Sequence, residues 1–323
     1  MSKIAFIFPG QGAQYTGMGR DFYEQTETGR KVFDQASELL GFSMPELVFE
    51  PNDRLDITEY TQAAMVTTSI AMMKVFTERT GIRPDVAAGL SLGEYCALAA
   101  AGVMSDADAI TTVRQRGILM QQAVPVGIGS MAAVLGMEAS AIEEVLASMD
   151  DVQIANYNCP GQIVISGKKE AVEAAAESLK AAGAKRVIPL KVSGPFHSRM
   201  LTEAGKKLGQ VLENVSVSKP QIPYVANVTA QYVTDAESVK PLLEKQVSSS
   251  VRWQQSVEMM IADGVDTFIE IGPGKTLSGF MKKILKQAKV PADTVQVYNV
   301  ETMDDFKEYM SKPENSFVKA YKA

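Results

Sequence analysis

The chain has 323 residues, of which 46% are hydrophobic and 22% are charged, and its formal net charge at pH 7 is -6. This composition is typical of a globular protein with a large hydrophobic core, and it excludes disordered and fibrous proteins. An acidic chain has no overall positive field that would attract nucleic acid or an anionic membrane, so we expect neither as a partner.

The scarcity of cysteine and histidine limits the chemistry of the chain and indicates its compartment. Cys96 and Cys159 cannot form a disulfide framework, and with His197 as the only histidine they supply no zinc ligand set. We therefore expect no metal and no cofactor. The apolar stretch at Ile4–Phe8 is too short for a signal peptide, and no later stretch stays apolar for about 18 residues. These observations predict a cytoplasmic protein.

The first third of the chain alternates strands with helices. Short apolar runs closed by turn residues predict buried strands at Ile4–Phe8 and 85–90, and apolar residues at helical spacing predict helices that include 60–80 and 106–123. Strands separated by helices are typical of a parallel sheet covered by helices on its faces. The predicted class is α/β.

The middle of the chain follows the order β-α-β-β-α-β, which is the split βαβ or ferredoxin-like unit. We therefore predict a small ferredoxin-like domain at 126–195, inserted into a large α/β-hydrolase-like domain with a mostly parallel sheet that is formed by 1–125 and 196–323. Residues 313–323 are polar and unpatterned, and we expect a loosely ordered tail there. The other predicted strands are 130–135, 152–157, 162–166, 186–192, 224–227 and 267–271, and the other predicted helices are 139–148, 170–182, 200–211 and 256–262.

Residues 89–93 read Gly-Leu-Ser-Leu-Gly and lie between the strand predicted at 85–90 and a helix-prone, alanine-rich segment. A serine presented on a tight strand-to-helix turn needs glycine two residues to either side, because a Cβ there would collide with neighbouring backbone. At a helix N-terminus the backbone N–H groups, first that of Leu92, stabilise a developing oxyanion. The pattern predicts that Ser91 is a nucleophile.

Serine is a weak nucleophile at neutral pH and needs a base within hydrogen-bond reach. A single histidine is more often a packing or surface residue than a catalytic one, but no other imidazole is present to serve Ser91. His197 also lies in a Gly-Pro-Phe-His-Ser turn, residues 194–198, at the predicted domain junction, where clefts usually form. We predict a dyad of Ser91 and His197.

Two other glycine-rich turns resemble nucleotide-binding loops without matching them. The turn at 10–12 begins a dinucleotide fingerprint, yet Tyr15 occupies the third glycine position, and 272–276 resembles a phosphate loop but has Ile269 in place of the first glycine. Both are better explained as sharp turns after buried strands, where α/β sheets place ligand contacts.

The chain resembles the malonyl-CoA:acyl-carrier-protein transacylases of bacterial fatty-acid and polyketide synthesis along nearly its whole length. Several separated motifs in the right order make this resemblance specific. They are residues 8–14, the elbow extended by Glu94 and Tyr95, Arg116 with Gly117, residues 194–198, Gln246 ahead of 251–253, and residues 270–274.

The resemblance implies a role for five residues besides the dyad. Arg116 would form a bidentate pair with the free carboxylate of a malonyl group, which a planar guanidinium does better than lysine; without the resemblance it would be taken for a helix-surface arginine. Gln11 and Leu92 would supply the backbone N–H groups of an oxyanion hole. Gln246 would orient His197 through its main-chain carbonyl, and Phe196 would narrow the pocket against branched malonyl groups.

The implied reaction transfers malonyl from malonyl-CoA to the phosphopantetheine thiol of acyl carrier protein through an ester on Ser91, for fatty-acid synthesis, by a protein that we expect to be a monomer. Three alternatives stay open. The chain could serve a polyketide pathway as a trans-acting acyltransferase, or it could be a serine hydrolase or thioesterase built on the same elbow. It could also be a noncatalytic docking subunit, although such a protein would be expected to lack Ser91 or His197.

One position departs from the family pattern. Leu90 stands where the family commonly has histidine, which removes a second candidate base, and we do not expect activity to depend on it.

Carrier proteins are acidic, as this chain is, so docking requires local basic residues. The candidates are Lys185, Arg186, Lys191, Arg199, Lys275, Lys282 and Lys283.

Overall fold

A computed structural model describes residues 2–192, 194–291 and 293–312, so the predicted tail at 313–323 lies outside the described residues. The strands are β1 (Ile4–Phe8), β2 (Val86–Gly89), β3 (Gly129–Leu135), β4 (Val152–Cys159), β5 (Gln162–Lys168), β6 (Arg186–Pro189), β7 (Tyr224–Ala226), β8 (Gln231–Val233), β9 (Thr267–Ile271) and β10 (Gln296–Val300). The helices are α1 (Arg20–Gln25), α2 (Glu27–Leu40), α3 (Met44–Phe49), α4 (Thr58–Thr80), α5 (Gly93–Ala100), α6 (Asp106–Gln122), α7 (Ala139–Leu146), α8 (Lys169–Ala181), α9 (Thr202–Glu213), α10 (Val239–Gln246), α11 (Trp253–Ala262), α12 (Thr276–Gln287) and α13 (Met303–Ser311).

The large sheet has the strand order β10-β9-β1-β2-β7-β8. Its first five strands run parallel, and β8 closes the edge antiparallel to β7. The central strand β1 is almost continuously apolar and buried, as expected for a strand with helices on both faces. Because β1 and β2 are parallel neighbours that pair Phe8 with Gly89, the turns that follow them lie side by side at one edge of the sheet.

The small sheet is antiparallel and has the order β4-β5-β3-β6. Its strands and the helices α7 and α8 follow one another as β-α-β-β-α-β, and a separate apolar cluster fills the space between this sheet and its helices. All of these elements fall inside the predicted small domain at 126–195. The predicted class, an α/β fold with a mostly parallel sheet and a ferredoxin-like unit, is confirmed.

The helix α4 passes through the centre of the large core rather than along the surface. Most of its 23 residues are buried, including residues on every side of the helix. It packs against α2 and α6, and α6 in turn carries Arg116. The position of α4 therefore fixes the helix from which the arginine side chain projects.

Several predicted boundaries differ from the structure. The strand predicted at 186–192 ends at Pro189, although the N–H of Leu190 still donates to Met131 O at 2.9 Å; a proline offers no N–H to continue a ladder. The helix predicted at 200–211 begins at Thr202, after a 3-10 turn at Arg199–Leu201. The sequence pattern also failed to identify β8, β10, α10, α12 and α13.

Candidate active site

The turn between β2 and α5 is as tight as its glycines suggest. A Cβ on Gly89 would overlap the backbone of Gly93, and a Cβ on Gly93 would overlap the Phe8 carbonyl of the neighbouring strand. Ser91, between them, has a φ of 54°, in the left-handed region that residues with a side chain seldom adopt. The strained backbone points the Ser91 side chain into a cleft of about 480 Å³.

Asn227, which follows β7, braces this turn with its side chain. Its Oδ1 accepts the N–H of Ser91 at 2.7 Å, and its Nδ2 donates to Gly89 O at 2.7 Å. Both bonds are made to the elbow backbone, one on each side of Leu90. Asn227 therefore holds the nucleophile's main chain, a function that the sequence pattern did not reveal.

The structure brings Ser91 and His197 together although 106 residues separate them. Ser91 Oγ lies 2.7 Å from His197 Nε2, and His197 Nδ1 lies 2.9 Å from the main-chain oxygen of Gln246. Because a carbonyl oxygen only accepts, Nδ1 carries the proton and donates it to Gln246. Nε2 is then an acceptor facing the serine hydroxyl, which is the tautomer that a general base requires.

His197 is buried, with 3% of its surface exposed. Burial, followed by the nearby positive charge of Arg116, lowers the pKa of His197 to about 4, and the bond to the Gln246 carbonyl opposes that shift. The imidazole is therefore neutral at physiological pH. A neutral imidazole beside a serine hydroxyl is ready to accept its proton.

Arg116 reaches the same site from α6 and is also buried, with 1% of its surface exposed. Its Nη2 donates to Ser91 Oγ at 3.1 Å and to Gln246 Oε1 at 3.0 Å, and its Nη1 donates to Gln62 Oε1 at 2.7 Å. No carboxylate of the described residues lies within ion-pair distance of it. Burial lowers its pKa, but a guanidinium remains charged in proteins. Arg116 is thus a buried cation held by neutral groups at the reacting oxygen.

The remaining predicted residues lie around Ser91 as follows. Gln11, on the turn after β1, and Phe196, which is 7% exposed, both line the cleft. Leu92 follows Ser91 with its side chain buried in the core. Leu90 also lines the cleft, so an apolar side chain occupies the place where the family commonly has histidine.

Reasoning from the sequence missed three residues that shape the site. Gln62 on α4 binds Arg116, Asn227 braces the elbow, and Glu94 on α5 accepts hydrogen bonds from Gln246 and Asn227. Glu94 had a signal, since it belongs to the elbow motif, but no function was assigned to it. Gln62 and Asn227 have none, because nothing in a helix or a short strand marks which polar side chain faces inward.

The seven basic docking candidates are all exposed. Lys191 lines the cleft that holds Ser91, whereas Lys275 and Lys282 border a separate surface cavity of about 440 Å³. Two of them have partners within the chain: Lys275 pairs with Asp305 at 3.2 Å, and Lys283 donates to Gln162 at 3.0 Å. Among these candidates, Lys191 is therefore the one that borders the cleft.

Two features are absent from the described residues. None of the helices found at 2–192, 194–291 or 293–312 combines the length and the apolar character needed to cross a bilayer. The same ranges contain no group of three or more histidine, cysteine, aspartate or glutamate side chains arranged to hold a metal ion.

Similarity to known proteins shows the family of this chain. The sequence profile of the acyl transferase domain matches residues 5–312. A malonyl CoA-acyl carrier protein transacylase of Bacillus subtilis (strain 168) is 48% identical over 309 residues, which are 94% of this chain and 96% of the relative. The crystal structure of malonyl CoA-acyl carrier protein transacylase from Clostridium perfringens ATCC 13124 has a TM-score of 0.92 at 42% identity, covering 99% of this chain and 100% of that chain.

A further solved structure contains a partner as well as an enzyme. It is a malonyl-transacylase in complex with a type II polyketide synthase acyl carrier protein, with a TM-score of 0.89 at 39% identity, covering 95% of this chain and 98% of that chain. Relatives at this identity, matched over nearly their full length, share a family as well as a fold. The chain belongs to the acyl transferase domain family and, within it, to the malonyl CoA-acyl carrier protein transacylases.

Proposed function

We propose that the protein transfers the malonyl group of malonyl-CoA to the phosphopantetheine thiol of acyl carrier protein, through a malonyl ester on Ser91. The proposal rests on the two hydrogen-bond partners of the Ser91 hydroxyl. Ser91 Oγ faces the acceptor Nε2 of His197 and also receives a hydrogen bond from the buried cation Arg116. The first partner suits a nucleophile, and the second suits an acyl group with a free carboxylate.

In the first half of the reaction, Ser91 Oγ attacks the thioester carbonyl while His197 Nε2 takes the hydroxyl proton. The C–O bond forms, the carbonyl oxygen becomes an oxyanion, and the backbone N–H groups of Gln11 and Leu92 stabilise it. The carbonyl then reforms, the C–S bond breaks, and the imidazolium returns its proton to the departing CoA sulfur. A malonyl ester on Ser91 remains.

The second half repeats these steps in reverse with another thiol. His197 accepts the proton of the carrier's phosphopantetheine thiol, the sulfur attacks the ester carbonyl, and Ser91 leaves with the proton from the imidazolium. The same base and the same oxyanion site serve both halves. The expected kinetics are ping-pong, and the two thioesters are of similar energy, so transfer is reversible.

Arg116 gives the reaction its preference for a dicarboxylic acyl group. Its Nη2 already reaches Ser91 Oγ, so the free carboxylate of an acyl chain attached to that oxygen falls within reach of the guanidinium. In a site shielded from water such a pair is stronger than it would be at the surface. Phe196, against the same cleft, would restrict bulk next to the carboxylate.

The rival function is hydrolysis of the acyl ester, because serine hydrolases use the same elbow. The difference lies in whether water reaches the ester. The site supports transfer, since His197 and Arg116 are both buried and the base is held by a main-chain carbonyl rather than by an aspartate. Release of free malonate faster than transfer to a thiol would favour the hydrolase instead.

The rest of the proposal concerns partners and compartment. A carrier protein would approach over the exposed basic residues near the cleft mouth, of which Lys191 borders the cleft itself. We place the protein in the cytoplasm, where Cys96 and Cys159 would stay reduced; both are free and buried. We propose that it acts as a monomer, without metal or cofactor, and supplies fatty-acid synthesis, with a polyketide pathway as the alternative.

The direct test is to incubate the protein with malonyl-CoA and measure its intact mass. A malonyl adduct is expected on the wild type and is expected to be absent from Ser91→Ala, and addition of a holo carrier protein should remove it. The proposal is wrong if the wild type acquires no adduct, or if Ser91→Ala acquires the same one.

A further inference from the structure

Glu94 is a buried carboxylate that the mechanism above does not use. It lies in the first turn of α5, three residues after the nucleophile, with 1% of its surface exposed. Its Oε2 accepts Gln246 Nε2 at 2.7 Å and the N–H of Asn227 at 3.1 Å. Burying a carboxylate is expensive unless the charge is matched and hydrogen-bonded, so its presence beneath the site calls for an explanation.

The side chain of Gln246 connects this carboxylate to the substrate-facing groups. Its Nε2 donates to Glu94 and also to Ser91 O at 3.0 Å, while its Oε1 accepts Arg116 Nη2 at 3.0 Å. A carboxylate only accepts and a guanidinium only donates. An amide placed between the two has one allowed orientation, with nitrogen toward Glu94 and oxygen toward Arg116.

Gln246 also holds the base, because its main-chain oxygen accepts His197 Nδ1 at 2.9 Å. One residue therefore touches the backbone of the nucleophile, the ring of the base and the guanidinium. Two of these contacts are made by the Gln246 side chain and the third by its main-chain oxygen, so anchoring the side chain also restrains the residue that holds the base. In the described residues, the strongest acceptor for that side chain is Glu94.

We propose that Glu94 is a positioning residue for acyl transfer, which acts through the Gln246 side chain to hold Arg116 and His197 in their places around Ser91. This inference rests on the proposed function and adds to it a residue that touches neither the substrate nor the reacting atoms. Glu94 also supplies a negative charge for Arg116, which has no direct ion pair among the described residues. The Gln246 side-chain amide makes hydrogen bonds to both of these opposite charges, Glu94 and Arg116.

The electrostatic surroundings of Glu94 fit this arrangement. The charged or titratable groups that face it are Arg116 from α6, Tyr95 from its own helix and Tyr224 from β7. Burial raises the pKa of Glu94 to about 7, and the bonds from Gln246 and Asn227, followed by the charge of Arg116, oppose that rise, so Glu94 carries its negative charge above about pH 7. Glu94→Gln keeps an acceptor oxygen in place but removes the charge that strengthens the bond to Gln246.

A matched control is available in Glu270, a second buried carboxylate with 0% exposure. It accepts Leu277 N at 2.9 Å and Ser278 N at 2.8 Å at the start of α12, and it makes no bond to Gln246. Burial raises its pKa as well. Glu270→Gln therefore reproduces the loss of a buried, hydrogen-bonded charge without disturbing the amide beneath Ser91.

The experiment compares wild type, Glu94→Gln and Glu270→Gln, each shown to be folded by its thermal transition. Two rates are measured per folded molecule at about pH 8, where Glu94 is ionised: kcat/KM for malonyl transfer to holo carrier protein, and the rate at which a fluorophosphonate modifies Ser91 with release of fluoride. We expect Glu94→Gln to lower both rates by about five- to fiftyfold. We expect Glu270→Gln to change each by less than about threefold, because its bonds lie elsewhere.

A double-mutant cycle with Gln246→Met tests whether Glu94 acts through that side chain. Once the amide is gone, Glu94→Gln should lower the rates by less than about twofold. The inference is overturned if Glu94→Gln alone stays within twofold of wild type, if Glu270→Gln is slowed equally, or if the effect of Glu94→Gln is undiminished in the Gln246→Met background. The first two comparisons decide the matter even if Gln246→Met does not fold.

The two measurements separate this inference from the proposed function. If the wild type transfers no malonyl group, the proposed function fails, yet the fluorophosphonate rates still report how Glu94 affects the dyad. If the wild type transfers malonyl and Glu94→Gln matches it in both assays, the positioning inference alone fails.

Discussion

Replacement of Arg116 by alanine separates recognition of the acyl carboxylate from the chemistry at Ser91. The guanidinium lies at 3.1 Å from Ser91 Oγ and is almost fully buried. Malonyl-CoA and acetyl-CoA present the same thioester to the dyad, and they differ in the free carboxylate. The variant should therefore lose malonyl transfer much more than acetyl transfer.

The size of the effect follows from the burial of the pair. Removing one partner of a buried, hydrogen-bonded charge pair costs about 2–5 kcal/mol, and about 3 kcal/mol corresponds to a loss of about 100-fold in kcat/KM. Acetyl transfer loses only the hydrogen bond from Arg116 to the serine oxygen, about 1 kcal/mol, or about fivefold. The ratio of malonyl to acetyl transfer should then fall by about 20-fold.

The assay is kcat/KM for both acyl-CoA substrates with one carrier protein, and the same helix provides a control. Arg114 lies two residues before Arg116, is 15% exposed, pairs with Glu59 at 2.9 Å and does not line the cleft. Arg114→Ala removes an equal charge and should leave the malonyl-to-acetyl ratio unchanged. Equal losses for the two substrates in Arg116→Ala would refute the reasoning, because Arg116 would then not contact the carboxylate.

Three further predictions concern pH and packing. Because the pKa of His197 is lowered to about 4, the rate of malonyl-enzyme formation by Glu94→Gln, in which residue 94 no longer titrates, should stay level from about pH 8 down to about pH 5 in rapid-quench measurements, whereas a fall centred near pH 6.5 would contradict it. The pKa of Glu94 is raised from 4.5 to about 7, so the folded state keeps the proton that the unfolded state loses, and stability falls by up to about 3 kcal/mol as the pH rises from about 4.5 to about 7; urea unfolding should show this loss in wild type and not in Glu94→Gln, and identical pH dependences would contradict it. Gly93→Ala places a Cβ against the Phe8 carbonyl and should reduce the free energy of unfolding by about 2 kcal/mol or more, whereas an unchanged urea midpoint would show that the elbow has room.

The alternation of apolar runs and turn residues was enough to predict the class of the fold. The strand at Ile4–Phe8 and the β-α-β-β-α-β order of the small sheet are local patterns, and both agree with the structure. The edge strands β8 and β10 were missed because neither has a continuous apolar run: β8 has three residues, and β10 alternates buried with partly exposed positions. Their identity depends on the neighbouring strand rather than on their own sequence.

The site divides in the same way between local and long-range information. Ser91 could be identified because the two glycines that its turn requires lie beside it in the sequence. The roles of Gln62, Asn227 and Glu94 became visible only in three dimensions, since each acts through a partner far away along the chain, 54 residues in the case of Gln62 and Arg116. Hydrogen bonds of this kind leave no spacing to detect. A buried polar network is therefore the part of an active site that a single sequence predicts least well.

Both reactive side chains rest on backbone in the left-handed region, with φ values of 54° for Ser91 and 56° for His197. Such a conformation costs about 1–3 kcal/mol for each residue and persists only where surrounding contacts hold it. Asn227 and Gln246 bind the backbone of Ser91, while Gln153 of β4 donates to the main-chain oxygen of His197 at 3.1 Å.

The contact from Gln153 means that the small sheet helps to hold the base as well as to border the cleft. That sheet is joined to the large unit by backbone bonds from Val251 N to Ala155 O at 2.8 Å and from Tyr157 N to Val251 O at 2.9 Å. Since β4 carries both these bonds and Gln153, a shift of the small sheet would move the carbonyl of His197 with it. One strand of the small sheet therefore both attaches that sheet to the large unit and holds the main chain of the base.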